Sequence, residues 1–247
     1  MLGELIASWQ VTPPAIWGKL PGHADFVRFD TGLGEISAWR AWLALEGRRC
    51  GMPAGEGAVV PGPRGEGARA LPVAFVLSPG TLPFAARQCV LGVIVPSCDS
   101  LGRRHPLIVY QAARPHWIRK HYQSHAAQPC DWQFWLARML ARHVATGKAA
   151  SFRTLVFAVQ ALWVEQSGVE GHDARRRRMQ AVIDRWIGAG PVADPAARVR
   201  GVRYLPWSDW PDRTWSAHAG NAFWLQDAEG RFVDASHRLQ PAWDVLP

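Results

Sequence analysis

The sequence predicts an α/β fold, a mixed β-sheet sandwiched by helices on both faces in three layers. Three observations carry this prediction. The short runs 90–95 and 107–110 are apolar and β-branched without alternation, as strands buried on two faces are. Longer stretches place apolar residues every three or four positions, the spacing of amphipathic helices. The two types follow as strand, helix, three strands, three helices and further strands, which fits one layered domain over residues 1–247.

The first dozen residues read as a tail or a loose first strand. Ile16 and Trp17 then enter a short strand, and Gly18, Pro21 and Gly22 punctuate the turn after it. From Glu35 to Cys50 the spacing of Ile36, Trp39, Trp42 and Leu43 predicts a helix, with Gly47 or Gly51 to end it. The segment 51–70 is rich in Gly and Pro and too poor in apolar residues to order itself, so it reads as a flexible loop. Strands follow at 73–77, 90–95 and 107–110, with a loop or short helical turn over 80–87.

Asp131 is a plausible cap for a helix that presents Trp132, Trp135, Leu136, Met139 and His143 on one face and closes at Gly147. Leu155, Val159, Leu162 and Trp163 give 152–166 a helical period, although its valines leave a buried strand as the alternative. A third helix runs from about 172 to 187, with Met179, Val182, Ile183 and Trp186 facing inward. Beyond it, 202–205 and 214–218 are candidate strands. The runs 222–226 and 231–233 read as a hairpin around a 227–230 turn.

Lys and Arg number 28 against 20 Asp and Glu, a net charge of +8. Part of the excess is the run Arg175, Arg176, Arg177 and Arg178, in the first turns of a predicted helix. Cations there oppose the helix dipole, so the run reads either as solvated surface or as a patch for an acidic partner. Aromatic-rich nucleic-acid signatures are missing, which argues against a nucleic-acid role. No apolar run reaches the length of a membrane span, and Met1 to Leu5 do not open a signal peptide, so the expected location is the cytoplasm. The four cysteines, Cys50, Cys89, Cys98 and Cys130, form no Cys-x-x-Cys pair and are expected as reduced thiols.

The chemistry-bearing residues concentrate in two turns, one around residues 18–28 and one at 96–106. Ser97, Asp99 and His105 offer the residue types of a hydrolase triad, but the strained Gly-x-Ser-x-Gly elbow is absent. His23, Asp25 and Asp99 could hold a metal if the turns converge, yet no His-x-x-x-His pair supports it. Gly102, Arg103 and Arg104 could meet a phosphate, but a single Gly does not make a cradle of N–H donors. None of these gives a convincing catalytic set, and no cofactor or metal is expected from them. The enzyme reading that stays open is a metal-dependent or phosphate-handling one using Asp25, Asp99 and Arg103. A buried Arg103 requires a carboxylate, so Asp99, Asp25 or both are expected to hold it and to tie the two turns together.

The two turns also carry a resemblance. Gly18-Lys19-Leu20-Pro21 followed by Asp25-Phe26-Val27 resembles the GKLPxxGDFV opening of the TagF proteins (also called ImpM) of type VI secretion. Pro96-Ser97 with Asp99, Gly102-Arg103 and Pro106-Leu107 resembles the PSxDxxGRxxPL segment of the same family. The motif-bearing core spans about 15–112, and Ala24 stands where the family pattern has Gly. The resemblance implies an α/β sandwich and a cytoplasmic accessory protein with no assigned catalysis or cofactor. It further implies post-translational repression of secretion-system assembly through binding of a forkhead-associated-domain scaffold protein. Carried onto this chain, the motif positions are Lys19, Pro21, His23, Asp25 and Phe26 in the first turn. In the second they are Ser97, Asp99, Gly102, Arg103, Arg104 and Pro106. These residues either contact the partner or shape the turns.

Overall fold

A computed structural model describes residues 10–49, 71–118, 132–166, 172–188, 220–226, 232–236 and 239. The strands are β1 (Ala15–Gly18), β2 (Val27–Phe29), β3 (Val73–Leu77), β4 (Cys89–Val95), β5 (Leu107–Ala113), β6 (Ala222–Gln226) and β7 (Phe232–Ser236). The helices are α1 (Leu33–Arg49), α2 (Trp132–Ala145), α3 (Phe152–Gln166) and α4 (His172–Trp186). One seven-stranded sheet runs in the order β2-β1-β5-β4-β3-β6-β7.

Every pairing in this sheet is antiparallel, which corrects the expectation of a mixed sheet. Parallel neighbours need a helical crossover between adjacent strands. Here the helical connections join strands that are not neighbours. α1 lies between β2 and β3, which stand at separate places in the order, and the three later helices lie between β5 and β6.

β4 and β5 are buried at all seven of their positions, because both faces of the sheet are covered. Their alternate side chains divide into two cores. Val93, Val95, Leu107 and Val109 pack with Trp135, Leu136, Met139 and Leu140 of α2. Val90, Ile94, Ile108 and Tyr110 pack on the opposite face with Trp39 and Trp42 of α1. This is the expected three-layer arrangement.

The 152–166 segment is a helix, as its spacing predicted. Leu155, Ala158, Val159 and Leu162 are buried while Phe157 and Val164 are exposed, a period of 3.6 rather than 2. α2 is buried on nearly all sides, since α3 and α4 pack over it. In α1, Glu35 accepts the N–H of Gly32 at 3.1 Å and the hydroxyl of Tyr110 at 2.8 Å, fixing the helix start to β5. The 80–87 segment contains a 3-10 turn at Pro83–Ala85. Cys89 and Cys98 are free thiols, and burial pushes the Cys89 thiol up to about 12. The expectations for 51–70, Asp131, Cys50, Cys130, 202–205, 214–218 and the 227–230 turn lie outside the described residues.

Candidate functional site

The connection between β4 and β5 is built around Asp99. Its Oδ1 accepts the backbone N–H groups of Leu101 at 3.0 Å and Arg103 at 2.8 Å, so the carboxylate satisfies the donors of the turn that follows it. Asp99 also donates its own N–H to the Arg103 carbonyl, and its carbonyl accepts from Gly102. Gly102 adopts φ +81°, which costs a glycine little and places the chain for this return.

The second carboxylate oxygen takes two cations. Lys19 Nζ lies 2.9 Å from Asp99 Oδ2, and Arg103 Nε donates to the same oxygen at 2.7 Å. The Asp99 side chain is fully buried and that of Lys19 is 9% exposed, whereas that of Arg103 is 56% exposed. Burial alone would raise the Asp99 pKa. The bonds from Lys19, from Arg103 and from Leu101 outweigh it and hold the carboxyl well below the usual range.

The first turn is fastened to the second by backbone as well. Arg103 Nη2 donates to the Ala24 carbonyl at 2.6 Å, and the Ser100 N–H donates to the His23 carbonyl at 2.8 Å. The His23 ring reaches in another direction: its Nε2 accepts the Phe152 N–H at 3.1 Å, satisfying a free donor at the start of α3. Gly18 makes the close packing of the two motifs feasible. A Cβ at this residue would collide with the carbonyl oxygen of Pro106, and its φ is +142°.

On the α1 side lies an aromatic ledge. Trp17 stacks on Phe26 with centroids 5.7 Å apart, and the His105 ring meets both edgewise at 4.6 and 4.8 Å. Lys19 and Arg40 place their charges 5.2 and 5.4 Å from the Phe26 ring. His105 Nδ1 lies 2.8 Å from the Pro106 carbonyl, so that nitrogen carries the proton. Burial, with the nearby Lys19 and Arg40 charges, pushes the His105 pKa down to about 4, against the opposing pull of that carbonyl.

The structure therefore brings together Lys19, His23, Phe26, Asp99, Gly102, Arg103 and Pro106 from both predicted turns. Asp25 is a correction. Its Oδ1 accepts the N–H of Phe26 at 2.7 Å and it does not reach Arg103, which spans to the first turn through the Ala24 carbonyl instead. Ala24 fits without strain, since Asp30 is the sole non-glycine residue with positive φ among those described.

The hydrolase arrangement is also corrected. Asp99 serves Lys19 and Arg103 rather than His105, and His105 is committed to Pro106. Ser97 Oγ and Arg104 Nη1 are buried without a hydrogen-bond partner among the described residues. Nor do His23, Asp25 and Asp99 converge as ligands: no group of three metal-ligating side chains occurs among the described residues. Pro21 is buried beside Leu20 in the first turn.

The basic run occupies the first two turns of α4, where Arg177 and Arg178 are exposed. Sequence reasoning missed the Lys19–Asp99 pair and the roles of Trp17 and Arg40 around Phe26. The signal available was the pairing of a lysine in one motif with a carboxylate in the other.

A family model for the TagF N-terminal domain, type VI secretion system-associated, matches residues 15–162. A comparison with curated proteins gives no match. Among solved structures, the crystal structure of PA0076 from Pseudomonas aeruginosa PAO1 is similar at 17% identity and a TM-score of 0.37. The match covers 95% of this chain and 97% of that one.

Proposed function

Because this chain belongs to the TagF family of type VI secretion system-associated proteins, we propose that it is an accessory protein that restrains assembly of the secretion system by binding another protein. The restraint acts after translation, in the cytoplasm, and the partner is the forkhead-associated-domain scaffold protein of the system. The observation that carries this reading is the use made of the motif charges. Asp99, Lys19 and Arg103 are spent on one another and on backbone groups, so the motifs hold a rigid face in place. A catalytic acid or base needs freedom to exchange a proton, and a carboxyl held far below its usual range does not supply it at neutral pH. Asp25 stands apart from Asp99 and Arg103, which leaves the enzyme alternative without its second carboxylate.

No helix among the described residues is long and apolar enough to cross a membrane. Overproducing the protein in its native host tests the proposal. Secreted substrate should fall while transcripts and levels of secretion-system proteins stay unchanged. Falling transcripts would overturn the post-translational part, and unchanged secretion would overturn the restraint.

A further inference from the structure

We propose that the cleft between edge strand β2 and helix α1 receives an extended partner segment carrying a carboxylate beside a large apolar side chain. The inference deepens the binding reading above and rests on it for the existence of a protein partner. Three observations lead to it.

First, among the described residues β2 is the terminal strand of the sheet and pairs only with β1. Its outer edge presents backbone donors and acceptors to which an extended segment adds as a further strand. Second, a cavity of about 510 Å³ opens beside this edge on the α1 face. Trp17 and Phe26 from the ledge, with Leu33 and Ile36 from α1, supply its apolar lining. Leu33 is 73% exposed, which adds apolar surface at the cavity mouth beside the aromatic rings. Trp17 and Arg28 are cross-strand partners, so a strand added along β2 directs every second side chain to this same face.

Third, the polar lining is cationic. Arg28 and Arg40 are both exposed, and neither has a carboxylate partner among the described residues. Arg40 lies over the Trp17 and Phe26 rings, which fixes its guanidinium at the cavity wall. The opposing charge is Asp25, whose Oδ1 is committed to the Phe26 N–H. Two guanidinium groups above an aromatic floor suit a carboxylate next to an aliphatic or aromatic group. The neighbouring hollow, lined by Arg28, Asp30 and Glu35, is more acidic and repels a second carboxylate, which sets the register of the segment.

The test uses the full chain and a fluorescein-labelled, C-terminally amidated peptide, Ser-Asp-Ser-Phe-Ser-Ser, whose single carboxylate and aromatic ring lie two residues apart and so share one face of an added strand, followed by fluorescence anisotropy. The same peptide with Asn for Asp is the control. The acidic peptide should bind at least about tenfold more tightly than its neutral counterpart. Arg28→Glu should remove most of that preference, and Arg28→Glu with Arg40→Glu should abolish it. The Arg28 side chain is exposed and makes no hydrogen bond or ion pair among the described residues, so the single variant remains folded and informative if the double one does not. Equal binding of the two peptides, binding of neither, or a preference that survives both substitutions would overturn the proposal.

A parallel pull-down of the scaffold separates this inference from the functional reading. Equal capture by wild type and Arg28→Glu overturns the cleft as the docking site while the function stands. Failure of both to capture the scaffold removes that partner, and the peptide titration still decides the cleft.

Discussion

Lys19 and Asp99 form a 2.9 Å ion pair across the two motifs, with the lysine side chain 9% exposed and the carboxylate not at all. The pair links the turn after β1 to the connection between β4 and β5, two strands buried along their whole length. Arg103 adds a second, exposed clamp on the same carboxylate. Asp99→Asn should therefore cost about 3–5 kcal/mol, because it leaves a buried ammonium without its partner. Lys19→Met should cost about 2 kcal/mol, since Asp99 keeps its other donors. Arg103→Met should cost about 1 kcal/mol, in line with an exposed pair. The double substitution Lys19→Met with Asp99→Asn should cost less than the sum of the singles in denaturant melts, and strict additivity would mean that the pair carries no coupling.

Gly18 and Gly102 both have positive φ but should respond differently. Gly18→Ala drives a Cβ into the Pro106 carbonyl and should cost about 3 kcal/mol or more. Gly102→Ala meets no atom and should cost only about 1 kcal/mol of backbone strain. Thermal melts of the two variants check the contrast, and equal losses would mean that the motifs do not need their close approach.

Acid should weaken the fold before its carboxylates titrate. Burial pushes both His105 and His143 down to about 4 in the folded chain, with the Ser151 backbone opposing and the nearby His23 assisting at His143. Above the unfolded value of 6.5 both are neutral in either state. As pH falls from 6.5 to 4 the unfolded chain takes up protons that the folded chain refuses, so stability drops by about 3 kcal/mol per imidazole and then levels. Asp99, shifted the other way, contributes stability above its unfolded value of 3.8 that is lost only as pH falls further. Denaturant melts between pH 7 and 4 measure the drop. His105→Phe, which keeps a ring between Trp17 and Phe26, should flatten about half of it.

The basic run on α4 is the remaining charged feature. Replacing Arg175, Arg176, Arg177 and Arg178 with Gln should slow association with an acidic protein partner and flatten its salt dependence, with little change in folding. Stopped-flow association at low and high salt reads this directly. Unchanged rates at low salt would return the run to plain solvated surface.

The core strands were legible as unbroken apolar runs, and the helices because their burial is periodic. The apolar runs at 90–95 and 107–110 matched β4 and β5, although Gln111 hid the end of β5. That glutamine is buried and donates to the Thr12 carbonyl at 2.6 Å, a contact no local pattern reveals. The spacing of Leu155, Val159 and Leu162 outweighed the β preference of the valines in α3. β2 escaped notice because three residues at a sheet edge, with Arg28 among them, show no period.

Strand order was not legible either, since β1 pairs with β5 and β3 with β6 over long separations. The convergence of the two turns followed from their chemistry, but the choice between Asp25 and Asp99 did not. Both are short carboxylates in polar turns, and only Asp99 lies where backbone donors, Lys19 and Arg103 meet. The aromatic ledge depends on α1 bringing Arg40 over Phe26, which is a tertiary fact.

The central claim is that this chain restrains secretion by binding a protein, and titrating the purified full chain into the purified forkhead-associated scaffold protein tests it most directly. The account predicts a saturable complex measurable by calorimetry, weakened by Arg28→Glu in a protein that still melts like wild type. Absence of any complex at about 100 μM of each protein would contradict it.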